Sequence, residues 1–374
     1  MTTPAEARID LSAIRHNIAL LKEHAAGAEL MGAVKADAYG HGLVRVSETI
    51  LDAGVSRLGT ATLSEGLALR AAGVTAPILS WLLTPGEPYG QALRADLELS
   101  AAGVASLEEF AAAARATGVT AKVHLEADTG MSRGGAPPAA WPELLARAAR
   151  LQAEGAVEVV GLWSHFACAD IPGHPSVEGQ LDAFEQALKL AEQAGLGGSQ
   201  VIRHVANSAA LVSLPRARFD LARPGIAMYG LSPIPEQGDF GLRQAMTLVA
   251  RLALVKRVPD NSGVSYGHLY VTDQETTLGL VPLGYADGIL RHATGRVEVL
   301  AGGRRRAIAG RVCMDQFVID VDDDVIGSGD EVILFGPGKD GEPTLQEWAD
   351  NLGTITHEIV TKIGARVPRV YEGT

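Results

Sequence analysis

Over its first 230 residues the chain repeats one pattern: a short apolar run, then a longer stretch with helical periodicity. The short runs fall at 30–34, 57–61, 77–80, 97–99, 121–125, 157–163, 201–205 and 219–222. Between them, stretches such as 41–53, 63–72, 106–116, 139–152 and 177–194 place Ala and Leu at helical spacing, as good helix formers do. Eight strands alternating with helices predict an α/β chain folded as a (β/α)8 TIM-like barrel. The competing arrangement is a doubly wound open sheet.

From about Leu242 the texture changes. Segments 247–258, 277–281, 296–300, 305–309, 317–321 and 331–335 are β-rich and separated by Gly, Pro and Asp, with one helix near 345–352. That pattern predicts a mostly-β domain. Pro and Gly cluster at 234–241, so the expected division is a barrel over 1–240 and a β-rich domain over 241–374. The 374 residues suit that pairing.

A net charge of −12 argues against a nucleic-acid partner, which would want a basic face. No run approaches the ~20 apolar residues of a membrane helix. Residues 1–10 lack the pattern of a signal peptide. Two cysteines, Cys168 and Cys313, make no disulfide framework. These features lead to the expectation of a cytoplasmic protein with neither membrane nor metal.

Barrel sites gather at the C-terminal ends of strands. Lys35 follows the first apolar run, Glu126, Asp128 and Arg133 the fifth, and His165 the sixth. His204, Asn207 and Ser208 lie at the seventh and Arg223 after the eighth. Any one has a bland reading: a histidine satisfied in the core, or an arginine in a surface ion pair. Their joint placement at strand ends points to a site. A lysine at a barrel mouth is costly unless it has a task, and one that forms an imine must be neutral for part of its cycle. Asn207-Ser208 opens a helical stretch, and Gly225 lets backbone approach a ligand. Barrels commonly bind phosphate beside strands seven and eight.

Val34-Lys35-Ala36-Asp37-Ala38-Tyr39-Gly40-His41-Gly42 resembles the cofactor-lysine signature of alanine racemases. The resemblance continues through Asp128-Thr129-Gly130-Met131-Ser132-Arg133, His204-Val205-Ala206-Asn207-Ser208 and Arg223-Pro224-Gly225-Ile226. It runs on through Val264-Ser265-Tyr266-Gly267, Gly284-Tyr285-Ala286-Asp287-Gly288, Arg311-Val312-Cys313-Met314-Asp315-Gln316 and Arg366-Val367-Pro368-Arg369-Val370-Tyr371. It implies a pyridoxal 5'-phosphate enzyme that interconverts L- and D-alanine and supplies D-alanine for peptidoglycan. It also implies a head-to-tail homodimer with composite sites. Lys35 would be the Schiff-base lysine and one base, and Tyr266 of the partner subunit the opposite base. Tyr39, Asn207, Ser208, Tyr371 and the Gly225 and Ile226 backbone would hold the cofactor phosphate. Arg223 would face the pyridine nitrogen with His165 behind it, supported by His204. Arg133 and the Met314 backbone would meet the substrate carboxylate, with Cys313 and Asp315 in support. Asp170, Tyr285, Arg291 and Arg311 would form a narrow entrance.

A racemase needs a base on each face of the α-carbon, and the Lys35–Tyr266 pair fits that need. An arginine opposite the pyridine nitrogen disfavours ring protonation and weakens the electron sink, which suits racemisation better than the barrel-type decarboxylases. A racemase of broader specificity, toward serine for example, is the other alternative. Relatives often carry a carbamylated lysine where Glu126 stands. The expectation is that Glu126 replaces it, pairs directly with Arg133, and makes activity independent of CO₂.

Overall fold

The computed structural model describes residues 3–373, so positions 1, 2 and 374 of the two expected domains lie outside the described residues. Eight parallel strands form the barrel: β2 (Glu29–Ala33), β3 (Arg57–Thr60), β4 (Ile78–Ser80), β5 (Leu97–Ala101), β6 (Ala121–Glu126), β7 (Val157–Trp163), β8 (Ile202–His204) and β9 (Leu221–Ala222). They pair in chain order from β2 to β8, and β9 pairs with β2. The gap between β8 and β9 is closed by single backbone bonds, Asp220 N–H to Arg203 O at 3.2 Å and Arg223 N–H to Ala206 O at 2.8 Å. The open-sheet alternative is therefore excluded.

The strand preceding the barrel, β1 (Ala5–Asp10), lies outside it. Its alternation of buried and half-buried residues fits a strand with one face in the core. It pairs antiparallel with β10 (Met246–Arg251) and parallel with β19 (Arg369–Glu372), inside a six-stranded sheet of the C-terminal region. The division at 240 did not anticipate this; the chain starts in the second layer and crosses into the barrel through helix Leu11–Ala25. The Asp10 carboxylate caps that helix, accepting from Ser12 N at 2.8 Å and Ala13 N at 3.1 Å.

The C-terminal region is β-rich, as expected, but the run 247–258 is two strands. β10 ends at Arg251, and β11 (Leu254–Val258) joins a different, three-stranded sheet. The backbone changes partners between them: Leu252 N–H donates to Asp330 O and Ala253 N–H to Leu280 O, both at 2.9 Å. The rest comprises β12 (Gly263–Val264), β13 (Tyr270–Val271), β14 (Thr276–Val281), β15 (Glu298–Ala301), β16 (Arg304–Ala307), β17 (Phe317–Asp322) and β18 (Glu331–Phe335). Helices Leu345–Leu352 and Thr356–Lys362 precede β19. One continuous apolar core runs through both layers, from Ala7 and Ile9 through the barrel to Phe335 and Trp348. Among the described residues no helix is long and apolar enough to cross a membrane.

Candidate active site

After β2 the backbone makes an unusual turn. Ala36, Asp37, Ala38 and Tyr39 all have φ between 53° and 55°. Each such L-residue costs about 1–2 kcal/mol in the left-handed region, so a run of four persists only where its surroundings hold it. Glu65 accepts from Ala36 N at 2.7 Å, and Asp37 Oδ1 accepts from Leu43 N at 2.7 Å. Arg369 donates to Gly40 O at 2.9 Å. The turn fixes Lys35 at the barrel mouth. Burial first, then the Arg133 charge, pushes the Lys35 ammonium below its ordinary pKa, with Glu65 opposing. A neutral amine is thus easier to reach than on an exposed lysine.

Gly40 has φ +77°, and a Cβ there would fall 2.2 Å from the Val360 carbonyl oxygen. Gly40→Ala is expected to destabilise the fold by about 3 kcal/mol, from backbone strain plus a clash that undocks helix Thr356–Lys362. Thermal unfolding of the variant checks this.

Beside β8 and β9 a polar cradle is built. Ser208 Oγ accepts from Gly225 N at 2.9 Å and from Ala227 N at 3.4 Å. Gly225 is required by space, since a Cβ there would lie 2.3 Å from the Tyr39 hydroxyl. This brings Tyr39, Ser208, Gly225 and Ile226 together. Asn207 caps helix Ser208–Ser213 through Oδ1, 3.0 Å from Ala210 N, leaving its amide nitrogen without a protein acceptor among the described residues. Tyr371, half-buried on β19, rests its hydroxyl against Gly42, where a Cβ would come within 1.9 Å.

Arg223 is buried and lies 4.8 Å from the Trp163 ring. Burial pulls its guanidinium down to about 9, with Glu126 countering, so it remains a cation at neutral pH. Two histidines contact it. The shorter contact is to His204 Nδ1, at 2.9 Å, and His165 Nδ1 is a flanking partner at 3.2 Å. Burial and then Arg223 hold His165 at about 3 and His204 well below its ordinary range, so both are neutral.

The expected Glu126–Arg133 pair is corrected. Arg133 is exposed, and no ion pair or hydrogen bond joins the two among the described residues. The Glu126 carboxylate lies along Gly134, where a Cβ would be 2.8 Å from Oε1. Burial raises its pKa to about 7, although Arg223 and Arg133 both act against that.

Apart from Asp170, the remaining expected residues lie on the β-rich region. Tyr266 is 72% exposed, Met314 54%, and Tyr285 44%. Tyr285 N–H donates to Cys313 O at 3.0 Å, Ala286 N–H to Met314 O at 2.9 Å, and Ser265 Oγ to Arg311 O at 2.8 Å. Asp315 pairs with Arg366 at 2.7 Å, and Arg291 is exposed on a short turn. Asp170 is exposed on the barrel side. Among the described residues no hydrogen bond or ion pair connects Tyr266 or Met314 to Lys35, Arg133 or Arg223.

The barrel groups fit a phosphorylated pyridine aldehyde. They offer a half-buried amine of lowered basicity, a cationic donor beside the mouth, and a serine–glycine cradle that a single added Cβ would fill. Sequence reasoning missed His357, whose ring lies 6.0 Å from that of Tyr39 and whose Nδ1 is buried without a partner among the described residues. It also missed Glu65, Glu98 and His124. Glu98 was visible as the one ionisable group in its strand, Leu97–Ala101, whereas His124 shares Ala121–Glu126 with Lys122 and Glu126.

The family profile described as alanine racemase, N-terminal domain, matches residues 9–233, and that described as alanine racemase, C-terminal domain, matches 245–371. Alanine racemases of Frankia casuarinae and Thermobifida fusca are 58% and 57% identical. The matches cover 97% and 100% of this chain and 95% and 99% of theirs. The alanine racemase of a D-cycloserine-producing Streptomyces lavendulae superposes with a TM-score of 0.98 at 52% identity, over 100% of this chain and 98% of that one. The enzyme of Streptomyces coelicolor A3(2) gives 0.96 at 55%, over 98% of each chain.

Proposed function

The chain belongs to the alanine racemase family and is a pyridoxal-phosphate-dependent alanine racemase, and we propose that it works as a homodimer whose two chains each complete the other's site. Lys35 and Tyr266 are the two bases. Tyr39, Asn207, Ser208, Tyr371 and the Gly225 and Ile226 backbone hold the phosphate, and Arg223, flanked by His165 and His204, faces the ring nitrogen. Arg133 and the Met314 backbone take the substrate carboxylate, supported by Cys313 and Asp315, while Asp170, Tyr285, Arg291 and Arg311 restrict entry. In this reading residues 1–240 carry the cofactor together with Tyr371 of the same chain, and the rest of 241–374 supplies the partner's site. The enzyme supplies D-alanine for peptidoglycan from the cytoplasm.

The observation that carries this reading is the split between two incomplete clusters. Lys35 is half-buried at the barrel mouth and Tyr266 stands exposed, and among the described residues no hydrogen bond joins the two. Isologous pairing of two chains supplies each with the other.

When bound, the cofactor supplies the electron sink that acidifies the α-proton of alanine. The protein handles the proton. Arg133 orients the carboxylate, so the α-hydrogen faces either Lys35 Nζ or the partner's Tyr266 Oη. One group takes the proton from its face and the other delivers one to the opposite face, and the roles exchange with the direction of reaction. The lowered basicity of Lys35 brings its neutral form within reach. Arg223, a cation at neutral pH held by the neutral His204 and His165, would donate to the ring nitrogen without protonating it.

The test is borohydride reduction of the purified enzyme loaded with pyridoxal phosphate. The imine band near the visible edge should disappear, and peptide mapping should place the label on Lys35, with L- and D-alanine interconverting before reduction and not after. A label on another lysine would overturn the assignment.

A further inference from the structure

We propose that Glu98 is a positioning residue for the cofactor site: through His124 and His204 it fixes which nitrogen of each imidazole carries the proton, and thereby holds the Arg223 guanidinium in place. This rests on Arg223 facing the cofactor ring, as read above.

A continuous polar chain runs from half-buried Arg57 through the buried Glu98, His124 and His204 to Arg223. Arg57, at the start of β3, donates to both oxygens of Glu98 on β5, at 2.7 and 2.9 Å. Glu98 Oε2 is 2.9 Å from His124 Nε2 on β6. His124 Nδ1 is 2.9 Å from His204 Nε2, and His204 Nδ1 is 2.9 Å from Arg223 Nη1. Both imidazoles are fully buried. Two lateral contacts confine them: His204 stacks on Trp163 with ring planes 4° apart, and His124 packs edge-on against His204.

The proton order in this chain is forced. Arginine only donates, so His204 Nδ1 accepts and the His204 proton sits on Nε2. That proton points at His124 Nδ1, which must accept, so the His124 proton also sits on Nε2. It points at Glu98, which must accept as a carboxylate. Burial by itself would raise the Glu98 pKa, but the hydrogen bonds from His124 and Arg57 and the Arg57 charge act against it and hold the carboxyl below its ordinary range. The ionised carboxylate is the only member that fixes the direction from the far end. Without it, the order that Arg223 imposes at one end has no matching acceptor at the other, and the rings are no longer held in one tautomer from both sides.

The barrel has made room for this arrangement. His124 stands opposite Gly161 of β7, beside a register shift in the β6–β7 pairing. A Cβ at Gly161 would lie 2.0 Å from His124 Nδ1, the atom that accepts from His204. Gly161→Ala therefore breaks the chain in the middle without removing any of its polar groups. Glu98→Gln breaks it at the end. The single glutamine oxygen is claimed by Arg57, which leaves an NH2 facing His124 Nε2 and reverses the required order.

Histidine-selective ¹⁵N NMR of the full chain, with and without pyridoxal phosphate, reads the tautomers directly. His124 and His204 are expected to be neutral with the proton on Nε2 in both states. In Glu98→Gln and Gly161→Ala, His204 should lose its single tautomer. In the loaded variants kcat should fall about tenfold, the usual scale for losing one hydrogen bond to a charged group, with KM held within about twofold. The visible absorption maximum should move in the same direction as in Arg223→Lys. An Nδ1 proton on either ring of the wild-type protein overturns the proposal, even if the variants fail to fold. So does a folded variant whose kcat and absorption match wild type while Arg223→Lys moves the band. If Arg223→Lys also leaves the band in place, Arg223 does not face the ring nitrogen, and both this proposal and the reading it rests on fall.

Discussion

Lys35→Ala and Tyr266→Phe proteins, each nearly inactive alone, are expected to recover about a quarter of wild-type racemisation when their subunits are exchanged. Removing either base should lower kcat by roughly 10²–10⁴-fold, the range for a positioned proton-transfer group. In a head-to-tail dimer each site takes Lys35 from one chain and Tyr266 from the other. A mixed dimer then has one site built from two intact groups and one that lacks both. Random exchange makes about half the dimers mixed, and each has one working site of two, which gives about a quarter. The physical basis is the exposure of Tyr266, Leu269, Val271 and Met314, with Ser265 and Cys313, the neighbours of the first and last, in contact at 3.3 Å. Large side chains gathered in this way are what a partner surface covers. Activity that stays at the level of the separate variants would place both bases in the same chain and overturn the composite site.

Much of this architecture was legible in the sequence because a barrel strand carries its own signal. Segment 157–163 was delimited to the residue, and so was 331–335, since each is a bounded apolar run with turn residues on either side. What the sequence concealed was pairing between distant segments. Ala5–Asp10 alternates as a strand should, but nothing local says that its neighbours are residues 246–251 and 369–372. The break at Leu252–Ala253 was invisible for the same reason, being set by carbonyls of Asp330 and Leu280. In the site, motif reading found Lys35, Arg223, Ser208 and Gly225, which lie at strand ends. It did not find the left-handed turn, because Ala36, Asp37 and Ala38 have no intrinsic reason to adopt positive φ; Glu65 and Arg369 hold them there from outside. It ranked His165 ahead of His204 because a strand end says where a side chain starts, and the contact at 2.9 Å depends on where it finishes.

Glu126→Gln is expected to stabilise the cofactor-free protein at alkaline pH, by up to ~3 kcal/mol, and to leave its stability unchanged below about pH 4.5. The sign follows from where the carboxyl sits. Its ordinary pKa of 4.5 is raised to about 7 in the fold, because burial outweighs the attraction of Arg223 and Arg133. Below pH 4.5 the group is protonated whether the chain is folded or not, and it contributes nothing. Between 4.5 and 7 the unfolded chain releases the proton while the fold retains it, so stability declines as pH rises. Above 7 the full penalty is present, and glutamine, which carries no charge, escapes it. Thermal unfolding of both proteins from pH 4 to 9 should show curves that coincide at the acid end and separate by several degrees at the alkaline end. A direct Glu126–Arg133 ion pair would give the opposite result. It would lower the carboxyl pKa, so the substitution would destabilise the protein above the ordinary carboxylate pKa and the difference would disappear in acid. The direction of the Tm difference at pH 8 therefore decides whether Glu126 is a charge bound to the substrate arginine or a buried acid that leaves Arg133 free to meet the carboxylate of alanine.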